Sequence, residues 1–426
     1  MKDLIYFFKT KSNNFAEQNE KLRFFVALLF VFSLPFDIFY SSIILIVFIL
    51  LTLLDLKKDK FKNIPKQFWI FQLPFYLAII GYFYSYNKSE ASSMIERQLS
   101  IFIFPIILPL AIEINSQRKK WMLLSLTLSC VLAVCYLFFN VFSFISDSQL
   151  PLNTLFSNHF FHHEFAKPLS IHAGYLSLFV SLSIVFSVQH ILLNKIIYKK
   201  LLYLCFTLIL FSGLIFLASR NVIPTTFFIL FFLVPFYYIK RKLIFILSSI
   251  ALLSVLFISL SKISYLEERF SSNLVNDIVL SDSTNYSLEN VEPRIERWYG
   301  AVDLIKQSPI IGYGTGDEIF VLKGMYFEKK YFISYLENFN IHNQYLSYLI
   351  KNGLIGFVLF LFAFLYYLRL AIKQKDFIYL SFLALLLVGF LTENILDANK
   401  GILFFAFLNT FFGYSILIKN KKEISS

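Results

Sequence analysis

The sequence predicts an all-α polytopic protein that threads a membrane about twelve times, and three observations carry that expectation. The 426 residues are 58% hydrophobic and only 15% charged, where soluble domains run at about 45–50% and 25%. Mean hydropathy is +0.67. The apolar residues also gather in continuous runs, each long enough to cross about 30 Å of hydrocarbon at about 1.5 Å per residue. Continuous runs exclude a β-barrel, whose strands alternate. The composition excludes a soluble enzyme and a disordered chain, and 54 Phe with 25 Tyr suit a protein solvated by lipid.

Taken in order, the runs lie near 22–37, 39–55, 67–85, 99–113, 121–146, 170–191, 201–219, 222–239, 243–261, 343–369, 377–392 and 399–418. The first two share the break Leu34-Pro35-Phe36. The run from Leu22 has no small-residue cleavage site, so no cleavable leader is expected. The tenth contains Lys351-Asn352-Gly353, which points its first part towards the outer interface. Cys130, Cys135 and Cys205 all fall inside apolar runs, with no spacing of a disulfide framework or a metal site.

Orientation follows from the basic residues. Seven segments that a twelve-span chain puts on one side hold 25 of the 39 Lys and Arg, from Lys2 to Arg23 at the start to Lys419, Lys421 and Lys422 at the end. By the positive-inside rule that side is the cytoplasm, with both termini inside. The net charge of +12 is therefore a topology signal and not a nucleic-acid patch, because the bases are spread over seven short segments. One connection is far longer than the rest. Residues 262–341 form an outer loop of about 80 residues, and a loop of that length should carry structure and function of its own. The chain thus divides into 1–261 with spans one to nine, 262–341 as a large periplasmic loop, and 342–426 with spans ten to twelve and a cytoplasmic tail. Within the loop, Trp298, Ala301, Val302 and Ile305 stand at helical spacing, which predicts an amphipathic helix.

Ionisable residues at span ends are where chemistry is expected. Arg220 stands in Ser219-Arg220-Asn221 with almost no loop around it, on the side where arginines are scarce. Its alternatives are a snorkelling arginine at a tight turn and a guanidinium that holds a phosphate. The loop supplies Arg294-Ile295-Glu296-Arg297-Trp298 and then Ser308-Pro309-Ile310-Ile311-Gly312-Tyr313-Gly314-Thr315-Gly316. Without a GK[ST] ending or a Rossmann context, those glycines read as a turn and not as a nucleotide site. His342 opens the tenth span, and a histidine there serves either as a general base or as a hydrogen-bonded interfacial ring. His159, His162, His163 and Glu164 read as a solvated interfacial loop, since their spacing matches no zinc motif. His172, with Tyr175 at the start of the sixth span, is the better histidine for contacting substrate.

These residues, in this order, resemble the family of O-antigen ligases and O-antigen (Wzy-type) polymerases. Ser219-Arg220 sits at an outer span junction as in that family, and Arg294-Ile295-Glu296-Arg297-Trp298 looks like its Arg-x-x-x-Trp pattern. Ser308 to Gly314 looks like its Pro-Leu-x-Gly-x-Gly stretch. His342-Asn343-Gln344-Tyr345-Leu346 and Gly353-Leu354-Ile355-Gly356 look like its His-Asn-x-Tyr-Leu and Gly-Leu-Ile-Gly pair, and Leu391-Thr392-Glu393-Asn394 is a further echo. The likeness runs from about 170 to 418 and departs at Asn221, where a small residue is commoner.

The resemblance implies an inner-membrane glycosyltransferase, metal-independent, inverting and without a cofactor, whose active site faces the periplasm. It would take a glycan from an undecaprenyl-diphosphate-linked donor and join it to a hydroxyl of lipid A core or another glycan acceptor. Arg220 and Arg294 match the family positions that hold the diphosphate, with Arg297 and His172 as weaker candidates; His342 matches the position of the catalytic base. Ligase, polymerase and protein O-oligosaccharyltransferase all stay open. A transporter is the rival from another class, but repeated halves and charged span interiors are missing from the sequence.

Overall fold

The computed structural model describes residues 15–56, 61–62, 64–247, 250, 264–272 and 293–425, and among these every regular element is helical. The principal helices are α1 (Phe15–Ser33), α2 (Ile38–Leu54), α3 (Leu73–Tyr84), α4 (Lys88–Ala111), α5 (Ser116–Asp147), α6 (Ala173–Leu193) and α7 (Ile197–Leu217). They continue with α8 (Val222–Tyr238), α9 (Arg294–Gln307), α10 (Glu318–Glu328), α11 (Gln344–Lys373), α12 (Phe377–Gly389) and α13 (Asn399–Ser425). Helices are the form these runs must take, because lipid offers no partner for an open backbone N–H or C=O. Among the described residues, α4, α5, α6, α7, α11 and α13 are long and apolar enough to cross a membrane, and α2, α3, α8 and α12 are shorter apolar helices. The chain is a polytopic helical membrane protein. Of the expected ninth span, only 243–247 and 250 are described, and 251–261 lies outside the described residues, as do the polar stretch 273–292, Lys2, Lys9, Lys11, Lys57, Lys58 and Lys60.

The bundle is organised around α6 and α13, the most enclosed of the six long apolar helices. Small polar residues let α6 sit inside: Ser177, Ser183 and Ser187 donate to carbonyls one turn back, and Thr226 of α8 donates to Ser181 at 2.7 Å. Such side chains allow close helix approach without leaving an unsatisfied group. In α8, the backbone widens to a π turn at Ile229–Leu233 just before Pro235, which has no N–H to give and a ring that crowds the preceding turn.

The two ends of the bundle differ. One end is knit by ion pairs: Arg118 with Glu20, Lys119 with Asp376, and Arg23 with Asp55 at 2.8 Å. The opposite end carries α9, α10 and the junctions α5–α6, α7–α8 and α12–α13. There the glycine-rich stretch does backbone work. Gly353 breaks α11 with φ of 58°, and the strand of chain around Gly312 (φ 72°) and Gly314 (φ 107°) fits into the break. Leu354 and Ile355 N–H donate to Pro309 and Ile310 carbonyls at 2.8 and 3.2 Å, while Tyr313 and Gly314 N–H donate to Ile350 and Lys351 carbonyls at 2.8 and 2.9 Å. Only glycine tolerates those left-handed angles at this backbone-to-backbone approach.

Two expectations need correction. The loop helix exists as α9, but it buries Arg297, Gly300, Ala301 and Leu304, whereas Val302 is exposed. Ala301 is buried and Trp298 and Ile305 pack against the same small core, so the period holds and the buried face is only shifted towards Gly300, against which Met325 of α10 presses. Lys351 does not reach an interface either. It is buried and pairs with Glu318 at 2.8 Å and Asp397 at 2.7 Å.

Candidate functional site

At the end carrying α9 and α10, a cavity of about 410 Å³ opens between α6, α7, α8, α9 and the entrance of α11. Its charged and titratable lining is Arg220, Arg269, Arg294, Glu393, His162, His163, His172, Tyr175 and His342. Arg220, Arg294, His172 and His342 were the residues picked from sequence. They come from the α7–α8 turn, the first residue of α9, the residue before α6 and the approach to α11, so only the fold brings them together.

The backbone at the rim is held in unusual conformations. His162, Ser170, Ala218 and His342 all have positive φ, between 44° and 57°. Non-glycine residues are uncommon there and persist only where the surroundings over-determine them. For His342 those surroundings are clear. Its N–H donates to Asn340 Oδ1 at 2.8 Å, and the next N–H, of Asn343, donates to Asn394 Oδ1 at 2.9 Å. The ring is thereby set with Nδ1 3.5 Å from Glu393 Oε2, a contact one small adjustment from a hydrogen bond. Burial alone would raise the Glu393 carboxyl, but the His342 ring, with His172 and Arg294 behind it, holds it below the usual carboxylate range.

The arginines are tied to the same junction. Asn221 Nδ2 donates to Thr392 Oγ1, and Arg294 Nη1 donates to the Thr392 carbonyl at 3.3 Å. Asn221, the departure from the family pattern, thus fastens the turn of Arg220 to the residue beside Glu393. Ala218 ends α7 in a left-handed cap, its carbonyl taking Arg269 Nε at 2.7 Å.

The loop histidines were expected to be solvated, and two of them are not simply so. His162 and His163 line the cavity with His172, their ring centroids 3.9 Å apart for the first pair and 4.3 Å for His163 and His172. The His162 N–H donates to the Phe216 carbonyl at 2.8 Å, which pulls the loop onto the end of α7. Burial lowers all three: His162 furthest, His163 to about 4, and His172 against the opposing pull of Glu393. They are therefore neutral near pH 7. His159 instead packs against Phe144 at 5.3 Å. Among the described residues no group of three or more His, Cys, Asp or Glu side chains is arranged to hold a metal ion.

Arg297 stands apart from the cavity lining. It is buried, with its guanidinium 5.3 Å from the Phe339 ring. Arg269 was overlooked in the sequence, and Glu393 was seen only as part of an echo. The signal for both was present. Arg269 is another arginine on the arginine-poor side, and Glu393 is an acid at a span end, which are the features that singled out Arg220 and His342.

Residues 205–361 match a family model described as O-antigen ligase, which supports the O-antigen ligase and polymerase family for this chain. The matched stretch includes Arg220, Arg269, Arg294, Arg297 and His342; His172 and Glu393 lie outside it. No curated protein matches the chain. That similarity supports a membrane glycan-transfer enzyme of surface polysaccharide biosynthesis.

Proposed function

We propose that the cavity binds a glycan linked to undecaprenyl diphosphate and transfers the glycan to an acceptor hydroxyl, as an O-antigen ligase does. The observation that supports this reading is the convergence of Arg220, Arg294, His342 and Glu393 on one cavity at one end of the bundle. In this reading that end faces the periplasm, in keeping with the basic residues concentrated on the other side.

The chemistry needs two services. The donor is already activated by its diphosphate, so the departing anion must be stabilised and the acceptor deprotonated. Arg220 and Arg294 hold the diphosphate, since a planar guanidinium grips phosphate oxygens through two N–H groups and can take the place of a divalent cation as the charge clamp. Glu393 receives Nδ1–H of His342, which fixes the tautomer and leaves Nε2 as the acceptor for the hydroxyl proton. The acceptor oxygen attacks the anomeric carbon opposite the leaving diphosphate, so configuration inverts. His172 and Tyr175 flank the sugar. No metal enters this scheme.

The test is transfer by the purified chain in lipid nanodiscs from an undecaprenyl-diphosphate-linked glycan. Wild type should consume donor in the presence of acceptor; no consumption with any hydroxyl acceptor overturns the reading. Glycan analysis of a deletion strain then separates the members of the class: a ligase mutant keeps polymer on the lipid carrier, a polymerase mutant makes single repeats, and a protein glycosylation mutant loses glycan from Ser or Thr.

A further inference from the structure

His172 and His342 line the same cavity, and what meets their Nδ1 atoms gives the two rings opposite faces. The Gly174 N–H donates to His172 Nδ1 at 3.1 Å and so caps the start of α6. A nitrogen that accepts this bond carries no hydrogen, and protonating it would break the cap. The His172 ring is therefore neutral with its hydrogen on Nε2, an atom that can donate and cannot accept. His342 is the reverse in the proposed scheme, with Nδ1–H towards Glu393 and Nε2 as the acceptor. One cavity thus holds an imidazole that takes a proton and one that only offers a hydrogen bond.

The His172 ring is seated in the wall of the cavity. A Cβ at Gly174 would come within 3.1 Å of Nδ1 and 3.3 Å of Cε1, so glycine, a poor helix former, leaves the ring its place. The rings of His163 and Tyr175, which also line the cavity, have their centroids 4.3 and 5.3 Å from it. Among the described residues, the one hydrogen bond of the ring is that to Nδ1. A cap alone would need none of this, since Ser, Asp and Asn cap helices better than His.

The group that Nε2–H meets must be an acceptor, and the surroundings select its kind. Of the charges around His172, the Glu393 carboxylate acts on it most strongly. A carboxylate there disfavours a second anion and leaves an uncharged oxygen as the fitting partner. We propose that His172 Nε2–H donates to an uncharged oxygen of the donor sugar, a hydroxyl or an acetamido carbonyl, and that it serves as a specificity residue for the glycan. The inference rests on the proposed function, which brings that sugar beside His342. A site built to donate to such an oxygen rejects a ligand that lacks it, because the N–H is then left without a partner.

The experiment measures binding to the purified full-length chain in nanodiscs with two lipids. One is the undecaprenyl-diphosphate-linked glycan extracted from a deletion strain, and the other is undecaprenyl diphosphate without sugar. Wild type should bind the glycan-bearing lipid more tightly. In His172→Asn, Oδ1 takes over the cap from Nδ1 and the side chain ends short of Nε2. Its affinity for the glycan-bearing lipid should fall about 3–10-fold, with the sugar-free lipid bound as before. His172→Gln gives up the cap and keeps an N–H near the position of Nε2, so it should lose less than the asparagine variant; if it does not fold, the asparagine variant decides. A role as cap alone predicts the opposite order. Wild-type affinity in His172→Asn, equal losses for both lipids, a folded His172→Gln that loses as much as His172→Asn, or a wild type that does not distinguish the lipids overturns this inference alone. A wild-type chain that binds neither lipid overturns the proposed function and this inference with it.

Discussion

Two clusters of charge lie at the same end of the bundle and are built on opposite plans. In the first, Lys351 of α11 donates to Glu318 Oε2 and Asp397 Oδ2 at 2.8 and 2.7 Å, Ser347 donates to the same two oxygens at 2.9 and 3.3 Å, and Asn394 donates to Asp397 at 3.0 Å. Its charges meet one another. Burial raises the Glu318 carboxyl against the pull of Lys351, as expected of two acids around one ammonium. In the second cluster, the described residues place three arginines, four histidines and one carboxylate around open space. A closed cluster of buried charge is architecture, and an open one that lines a cavity is a place for a ligand. The two are also joined: Asn394 of the closed cluster accepts from Asn343, the neighbour of His342, and precedes no more than two residues before Leu396, whose N–H is held by Gln344. The closed cluster is thus the footing on which His342 and Glu393 stand.

Substitutions that separate rate from stability sharpen this contrast. His342→Ala should lower transfer about 10²–10⁴-fold, the usual worth of a general base, and leave the thermal midpoint and donor binding near wild type. Lys351→Met should do the reverse, lowering stability by about 3–5 kcal/mol through two uncompensated buried carboxylates. Unfolding in denaturant beside single-turnover transfer reads both. A His342→Ala chain that unfolds, or a stable Lys351→Met chain that only loses rate, breaks the comparison.

Smaller effects follow. Arg294→Lys should reduce transfer about tenfold or more with normal membrane insertion, since the charge stays and the fork goes. Protonation gives a weaker readout still. His163 titrates at about 4 in the folded chain, against about 6.5 for histidine in an unfolded one. Their difference means that stability is full above about 6.5 and is lost as pH falls towards 4, because the unfolded chain takes up the proton first. The thermal midpoint should drop over that window, and His163→Gln should flatten the drop; an unaltered slope would remove His163 from the buried set. Smallest of all, EDTA should leave turnover unchanged, and a loss restored by a divalent cation would contradict the arginine clamp.

The closed cluster was the less legible of the two. Apolar runs disclose spans because lipid dictates helix locally, and arginines at span ends disclose a site because charge there is costly. What joins residues distant in sequence leaves no local mark. Lys351 looked interfacial because its carboxylates, Glu318 and Asp397, lie 33 residues before it and 46 after it in the chain. Arg297 looked like a ligand because it shares a motif with Arg294, yet three residues along a helix turned it towards Phe339. His162 and His163 looked solvated until the Phe216 carbonyl drew their loop over α7. The glycines of 312–316 read correctly as a turn, while the gap they enter, at Gly353, is visible only in three dimensions.

The central claim, that the open cluster exists to hold a lipid-linked diphosphate, is tested most directly by donor binding to the purified chain in nanodiscs. Wild type and His342→Ala should retain an undecaprenyl-diphosphate-linked glycan equally well. The double variant Arg220→Gln/Arg294→Gln, with its closed cluster untouched and its thermal midpoint preserved, should lose about 100-fold or more in affinity. A folded double variant that holds the donor as tightly as wild type would contradict the claim.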